Sequence, residues 1–268
     1  MNHEFAFSGQ DFTRVRGLIA AYAGISLHER KQNMVYNRLS RRLRATGLRS
    51  FREYLDWVER PGSEERERFV NALTTNLTSF FREPHHFDML VALARKRPGV
   101  KLRVWSSACS TGEEAYSATI ALREAHRNAE ILASDVDTDA LEAGRSAVYR
   151  VQALDSAGFE RMAPHFLKGS GENAGLALVR PELRAMVRFL RHDIRRELYL
   201  GKFDAIFCCN VCLYFMRPTK DQILARLTAA LRRGGYLFLG HAEGVNPPGD
   251  NFRAIHRPSG VVFQRIPA

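Results

Sequence analysis

The stretch SACSTGEE (107–114) sets a run of small side chains directly before two carboxylates. Ser107, Ala108, Ser110, Thr111 and Gly112 let backbone approach a ligand closely, and the N-terminus of an amphipathic helix follows at once. The apolar run AEILASDVD (129–137) ends around Asp135. A carboxylate there is placed to accept hydrogen bonds from both hydroxyls of an adenosine ribose. A third run, FDAIFCCNV (203–211), ends on Asn210, which can serve a polar ligand. Glu113 admits two readings: it complements the helix dipole in the first turn, or it faces an ammonium or sulfonium group on the ligand. A nicotinamide enzyme would carry GxGxxG at this turn, whereas Gly112 stands alone. An adenosyl ligand with a cationic group, and no pyrophosphate to cradle, fits better.

These residues need an alternating scaffold, and the chain after Pro98-Gly99 supplies one. Strand-like KLRVWSSA (101–108), helix-like 112–127, strand-like 129–137 and helix-like 140–149 follow in order. A strand over 203–211, a helix over 219–233, a Gly-Gly turn and a strand over 236–241 continue the rhythm. Segments 251–257 and 261–266, split by PSG, read as a closing antiparallel hairpin. Alternation of this kind predicts a parallel, doubly wound α/β sheet with ligands at the carboxyl ends of its strands. Residues of about 150–190 break the rhythm with GSGENAG (169–175) and the alternating LALVR (176–180), and are read as a small inserted β-subdomain. Residues 10–95 carry only helical periodicity, with Asp11 a candidate cap and Gly47 a candidate helix end. The expected division is a helical domain over 1–75, a helical connector over 76–98 and the sheet domain over 99–268.

Hydrophobic residues make up 45% and charged residues 26%, which describes a folded globular chain rather than a disordered one. No apolar run approaches the roughly 18 residues that span a bilayer, so membrane insertion is not expected. The N-terminus MNHEFAFSGQDF lacks the basic and apolar regions of a signal peptide, which predicts a cytoplasmic protein. Cys208, Cys209 and Cys212 crowd one apolar stretch and read as small buried residues; CCxxC within a strand offers neither a fourth ligand nor an open loop for zinc. The net charge of +11 predicts an acidic partner without naming it. The excess is concentrated from Arg30 to Arg52, with eight basic residues and no acidic one; Arg38, Arg41 and Arg42 share a helix face.

Five ordered blocks carry a resemblance over nearly the whole chain: ALTTNLTSFFREPHHF (72–87), VWSSACSTGEEAYS (104–117), ASDVDTDALEAG (133–144), FDAIFCCNVCLYF (203–215) and GGYLFLGHAE (234–243). Together they closely resemble the chemotaxis receptor methyltransferases, the CheR family. The resemblance implies a class I S-adenosylmethionine-dependent methyltransferase sheet, with an antiparallel terminal strand and an N-terminal all-α domain. It also implies methyl transfer from S-adenosylmethionine to glutamate side chains on chemoreceptor cytoplasmic helices, leaving S-adenosylhomocysteine and a γ-glutamyl methyl ester. Donor-binding residues carried over on the matching positions are Asn76, Thr78, Arg82, Glu113, Asp135, Asp193, Ile194, Asn210 and Val211. Departures from the family pattern are Ala115 for Pro, Cys209 for Arg, Ala242 for Ser and Asp193 for Asn. Asp193 adds a negative charge beside the adenine or ribose.

A glutamate acceptor is ionised at neutral pH and needs no general base; alignment and exclusion of water suffice. His85 and His86 are therefore read as structural, and no metal is required. Arg82 suits bidentate contact with the donor or acceptor carboxylate, against the rival of a structural ion pair. Tyr214 is a candidate for the methyl-transfer pocket and equally a core tyrosine. Family resemblance makes Arg38, Arg41 and Arg42 candidates for docking an acidic receptor bundle. The glycine-containing loop of the insertion looks like the kind that binds a receptor's C-terminal pentapeptide by strand addition, with Arg180, and also Arg184 and Arg188, able to meet the acidic peptide. A monomer with no nucleic-acid partner is expected. The alternatives are a nucleic-acid methyltransferase, favoured by charge alone, and a non-catalytic receptor-binding adaptor.

Overall fold

The structure, a computed structural model, describes residues 4–241, 243–244, 251–257 and 260–266, so Ala242 lies outside the described residues. It divides into a unit of residues 1–75 with 214–219, and a unit of residues 76–213 with 220–268.

The first unit is helical: α1 (Gly9–Ala23), α2 (Gln32–Thr46), α3 (Phe51–Glu59) and α4 (Glu65–Leu73). Asp11 does not cap α1. Ser8 does, accepting from Asp11 N–H, while the Asp11 carboxylate reaches back to Ser8 N–H at 2.9 Å. This is a capping box, which places the acid three residues inside the helix rather than at its edge. Gly47 ends α2 at φ 71°, where a side chain would be strained. The apolar stripes of Val15 and Ile19, Leu39 and Leu43, Tyr54 and Leu55, and Phe69 are buried against one another. Among them lies a carboxylate, Glu65, only 5% exposed. Arg42 grips it with Nε and Nη2, each at 2.8 Å, and Tyr54 donates its hydroxyl at 3.0 Å. Arg38 donates to the carbonyls of Leu73 and Thr74, satisfying the end of α4. Two of the three arginines of the basic face are thus occupied by the fold, while Arg41 is exposed.

The second unit opens with α5 (His85–Arg95) and then alternates: β1 (Leu102–Ser106), α6 (Glu113–Glu124), β2 (Ala129–Asp135) and α7 (Thr138–Ser146). An excursion follows with β3 (Val148–Arg150), α8 (Phe159–Met162), β4 (Phe166–Lys168) and β5 (Leu176–Val179). The chain returns through α9 (Pro181–Arg184) to β6 (Val187–Arg191) and β7 (Phe203–Cys208), and closes with α10 (Arg217–Ala230), β8 (Leu231–Leu239), β9 (Phe252–Arg257) and β10 (Gly260–Arg265). The main sheet has the order β6-β2-β1-β7-β8-β10-β9. β6, β2, β1, β7 and β8 run parallel, and β10 is antiparallel to both neighbours. The carboxyl ends of β1, β2, β6 and β7 therefore share one rim. Phe207 and Phe238 stack at 4.3 Å beneath it, within an apolar core that includes Val104, Ile131 and Ile120.

The excursion is a separate antiparallel sheet, β3-β5-β4, confined to residues 148–179. The expected boundary near 190 is too late. Val187–Arg191 pairs with Ile131–Asp135 as an edge of the main sheet. Its residues are only half-buried or exposed, so VRFLR carries no continuous apolar run to mark it as a sheet strand. The helix expected over 219–233 also stops early, at Ala230. Gly234-Gly235 is not a turn before a strand but an irregularity within β8, where pairing shifts between Phe203↔Leu231 and Ala205↔Tyr236. A Cβ on Gly235 would stand 2.7 Å from the Asp204 carbonyl, so only glycine admits this close approach.

Candidate active site

The turn after β1 is tight: Ser110 lies at φ 50° and Gly112 at φ 96°. A Cβ on Gly112 would come within 3.0 Å of the Tyr149 hydroxyl and 3.2 Å of Gly144 Cα, so the turn packs down only with glycine there. Ser110 N–H consequently points at Asp135, donating to Oδ2 at 2.8 Å, while Asp137 N–H donates to Oδ1 at 3.0 Å. Each oxygen of a carboxylate has a second acceptor position, so Asp135 can still take two hydroxyls. Asp137 caps α7 and accepts from Asn76 Nδ2 at 2.7 Å; Asn76 Oδ1 in turn accepts from Ser110 Oγ at 3.2 Å. Asn76 is thereby bound to the ends of both β1 and β2. Glu113 accepts from Thr111 Oγ1 at 2.6 Å, and burial pushes its carboxyl above the usual range. Burial likewise raises Asp135.

Next along the rim, His192 N–H donates to the Asp135 carbonyl at 2.9 Å, which sets Asp193 and buried Ile194 just past β6. The added negative charge expected of Asp193 is offset. Arg195 holds its carboxylate with Nε at 3.0 Å from both oxygens and Nη2 at 2.7 Å.

Past β7, Asn210 sits at φ 60°. Its Oδ1 accepts from Arg82 Nη2 at 3.0 Å and its Nδ2 donates to Glu83 Oε1 at 3.2 Å. Arg82 is exposed, and its second bond runs to the Leu77 carbonyl at 2.8 Å, so both of these partners are neutral. Val211 N–H donates to Glu243 at 2.9 Å. Thr78 is half-buried within the same connector loop as Asn76 and Arg82. Tyr214 belongs to the first unit, where its carbonyl accepts from Ser26 N–H at 2.7 Å. Arg180 donates through Nε to the Pro164 carbonyl at 2.8 Å within the small sheet region.

Beneath the rim, His86 is 1% exposed and burial drives its pKa down to about 3, so the ring is neutral. It packs against Phe238 at 5.2 Å. Glu83, His85 and His86 bring ligating atoms within 4.8 Å of one another, but the Glu83 carboxylate is engaged by Asn210 and His241 N–H. Cys208 and Cys212 are buried with their sulfurs 3.7 Å apart, and all four cysteines are free thiols. Burial lifts Glu114 and Glu243 from 4.5 to about 7. A raised folded-state pKa contributes stability that is complete below the unfolded value and is lost as pH rises through the folded one. Melting temperature is accordingly expected to fall between about pH 4.5 and pH 7, and Glu114→Gln to flatten that slope. A melting profile of the Gln variant as steep as that of the unmodified chain would show that Glu114 does not titrate there.

Asp137, Glu83, Glu243 and Arg195 escaped sequence reasoning. Asp137 closes the run 129–137 but was passed over for Asp135, and the other three enter only by bonding a residue past a strand end.

A family model described as the CheR methyltransferase S-adenosylmethionine-binding domain matches residues 76–261, and one described as the CheR methyltransferase all-alpha domain matches residues 10–74. The chain is 46% identical to a chemotaxis protein methyltransferase of Salmonella typhimurium over 253 residues, covering 92% of this chain and 88% of that one. The chain belongs to the CheR methyltransferase family. The corresponding protein of Escherichia coli is 44% identical across the same shares of each chain. Chemotaxis protein methyltransferase 2 of Pseudomonas aeruginosa is 46% identical over 90% of this chain and 89% of that one. This CheR-family chain is an S-adenosylmethionine-dependent methyltransferase of the chemotaxis class, and its sheet has the architecture expected of one. No helix among the described residues is long and apolar enough to cross a membrane.

Proposed function

We propose that this chain methylates glutamate side chains on chemoreceptor cytoplasmic helices, forming γ-glutamyl methyl esters. The observation that carries the reading is Arg82: an exposed guanidinium on the strand-end rim, held by an amide oxygen and a carbonyl rather than by a carboxylate. No carboxylate hydrogen-bonds it, so its donors can meet an anion brought in from outside, as a glutamate acceptor or the donor's own carboxylate would be.

The residues present fit S-adenosylmethionine. Asp135 retains acceptor positions for a ribose diol, and Glu113 offers a carboxylate for an ammonium. Asn76 and Thr78 stand on the connector side, with Asp193-Ile194 beside β6 and Asn210-Val211 past β7. When bound, the donor supplies a methyl group already activated by its sulfonium. The chain's own residues need move no proton, because the acceptor carboxylate is ionised and attacks directly. Their work is to align the two partners and exclude water.

The decisive experiment incubates the purified chain with receptor and methyl-labelled donor, then measures base-labile methanol. Receptor labelling is expected; labelling of RNA with none on receptor would sink the reading. Receptors with and without their last five residues would test the small sheet as a tether site. The fold's use of Arg38 and Arg42 leaves Arg41 as the arginine of that face we assign to docking.

Arg195 bears on donor affinity. Arg195→Ala strips the counter-charge from Asp193 and is expected to change the donor dissociation constant by roughly three- to tenfold, with Asp193→Asn reversing the effect. Calorimetry with S-adenosylhomocysteine measures both; unchanged binding would remove Asp193 from the donor site.

A further inference from the structure

Six described non-glycine residues have left-handed backbone, and four of them lie in the connector loop or in the turns past β1 and β7: Phe81, Glu83, Ser110 and Asn210. Such backbone is disfavoured for L-residues and persists where surrounding bonds over-determine it. At Asn210 those bonds are visible. A Cβ on Gly240 would stand 2.7 Å from Asn210 N, so glycine makes room for the turn. Glu243, 2% exposed, accepts from the next N–H, that of Val211. Glu83, itself at φ 55°, accepts from Asn210 Nδ2 through Oε1 and from His241 N–H through both oxygens at 3.2–3.3 Å.

We propose that Glu83 is a positioning residue for donor binding: its carboxylate selects the orientation of the Asn210 amide and ties that amide to the end of β8. An amide can face a neighbour with either its oxygen or its nitrogen. Both Glu83 oxygens already accept from His241 N–H, so the amide atom that can face them is the donor, Asn210 Nδ2. Oδ1 is then turned toward Arg82 Nη2, 3.0 Å away. One acidic side chain thus fixes the Asn210 amide and, through its oxygen, a bond to Arg82. Glu83 acts through Asn210 and touches no reacting atom.

The inference rests on the reading of Asn210 as a donor contact, and a double-mutant cycle separates the two. Dissociation constants for S-adenosylhomocysteine are measured by calorimetry on the full chain and on Glu83→Ala, Asn210→Ala and their combination. Glu83→Ala is expected to weaken binding on the order of tenfold, the range of one charge-assisted hydrogen bond. In the Asn210→Ala background the same change should add less than about twofold, because the residue it acts through is gone. Glu83→Gln, whose amide oxygen still accepts from Nδ2, should recover most of the affinity and restore the donor KM, with kcat for the acceptor little altered. If Glu83→Ala does not fold, Glu83→Leu, which fills the vacated space, runs the same cycle. Equal losses in both backgrounds, or a Gln variant as weak as the alanine one, would overturn the positioning role. Unchanged affinity in Asn210→Ala alone would overturn the donor-site reading, and this inference with it.

Discussion

Arg82→Ala is expected to lower kcat/KM for receptor methylation about a hundred- to a thousandfold, the range seen when one preorganised donor is removed from a reacting centre. Its folded stability should stay within about 0.5 kcal/mol of the unmodified chain, because an exposed side chain bonded to neutral groups contributes little to folding. The pairing of a large catalytic loss with a small stability loss follows from the geometry. Asn210 and the Leu77 carbonyl orient the guanidinium, and neither is a carboxylate. The split between constants then identifies the anion. A rise confined to the donor KM points to the donor carboxylate, and a fall in kcat with the acceptor KM raised points to the substrate glutamate. Arg82→Lys should recover part of the loss, since an ammonium keeps the charge but not the planar fork. Labelled methyl transfer to receptor is the measurement. Near-normal turnover in the alanine variant would take Arg82 out of the mechanism.

The second large effect falls on the helical unit. Arg42→Ala is expected to destabilise it by about 3 kcal/mol, because Glu65 would keep a buried carboxylate with no cation opposite it. Tyr54 can donate one hydrogen bond but supplies no charge. Arg41→Ala, one residue away and exposed, should change stability by less than about 0.5 kcal/mol. Chemical denaturation of the two variants is the test, and equal midpoints would mean that Glu65 is not held as its bonds to Arg42 indicate. The same pair separates folding from docking: Arg41→Glu should weaken receptor methylation without moving the midpoint. Replacing Arg42 and Glu65 together with leucine should recover much of the loss, since the cost arises from an unpaired charge and not from the lost ion pair.

The strand-end positions were legible because a parallel α/β sheet writes itself into sequence as short apolar runs separated by amphipathic helices. The residues that close such runs must lie on the ligand rim. Asp135 and Asn210 could be picked out that way, and Gly112 could be recognised as a turn residue. The inserted sheet announced itself through alternation in LALVR, but its far boundary did not. Val187–Arg191 forms a half-exposed edge strand and lacks the continuous apolar run of buried β7. Spacing likewise put Arg38, Arg41 and Arg42 on one face yet could not separate them, because the partners of Arg42 and Arg38 lie 23 and 35 residues further along.

Periodicity in the sequence thus determined most of the elements, their order and the strand ends at which a ligand is expected. It determined this because burial repeats locally, every two residues in a strand and every three to four in a helix. The tertiary structure decided which charges are spent inside the fold and which remain for a ligand. Asp193 is matched by Arg195, Glu65 by Arg42, and Asn210 is turned by Glu83 toward an Arg82 whose bonding partners are neutral. Most of those pairings join segments far apart in the chain, and even Arg195, two residues from Asp193, meets it only through the turn after β6. No local pattern encodes them, since a hydrogen bond depends on where two atoms meet and not on how many residues separate them.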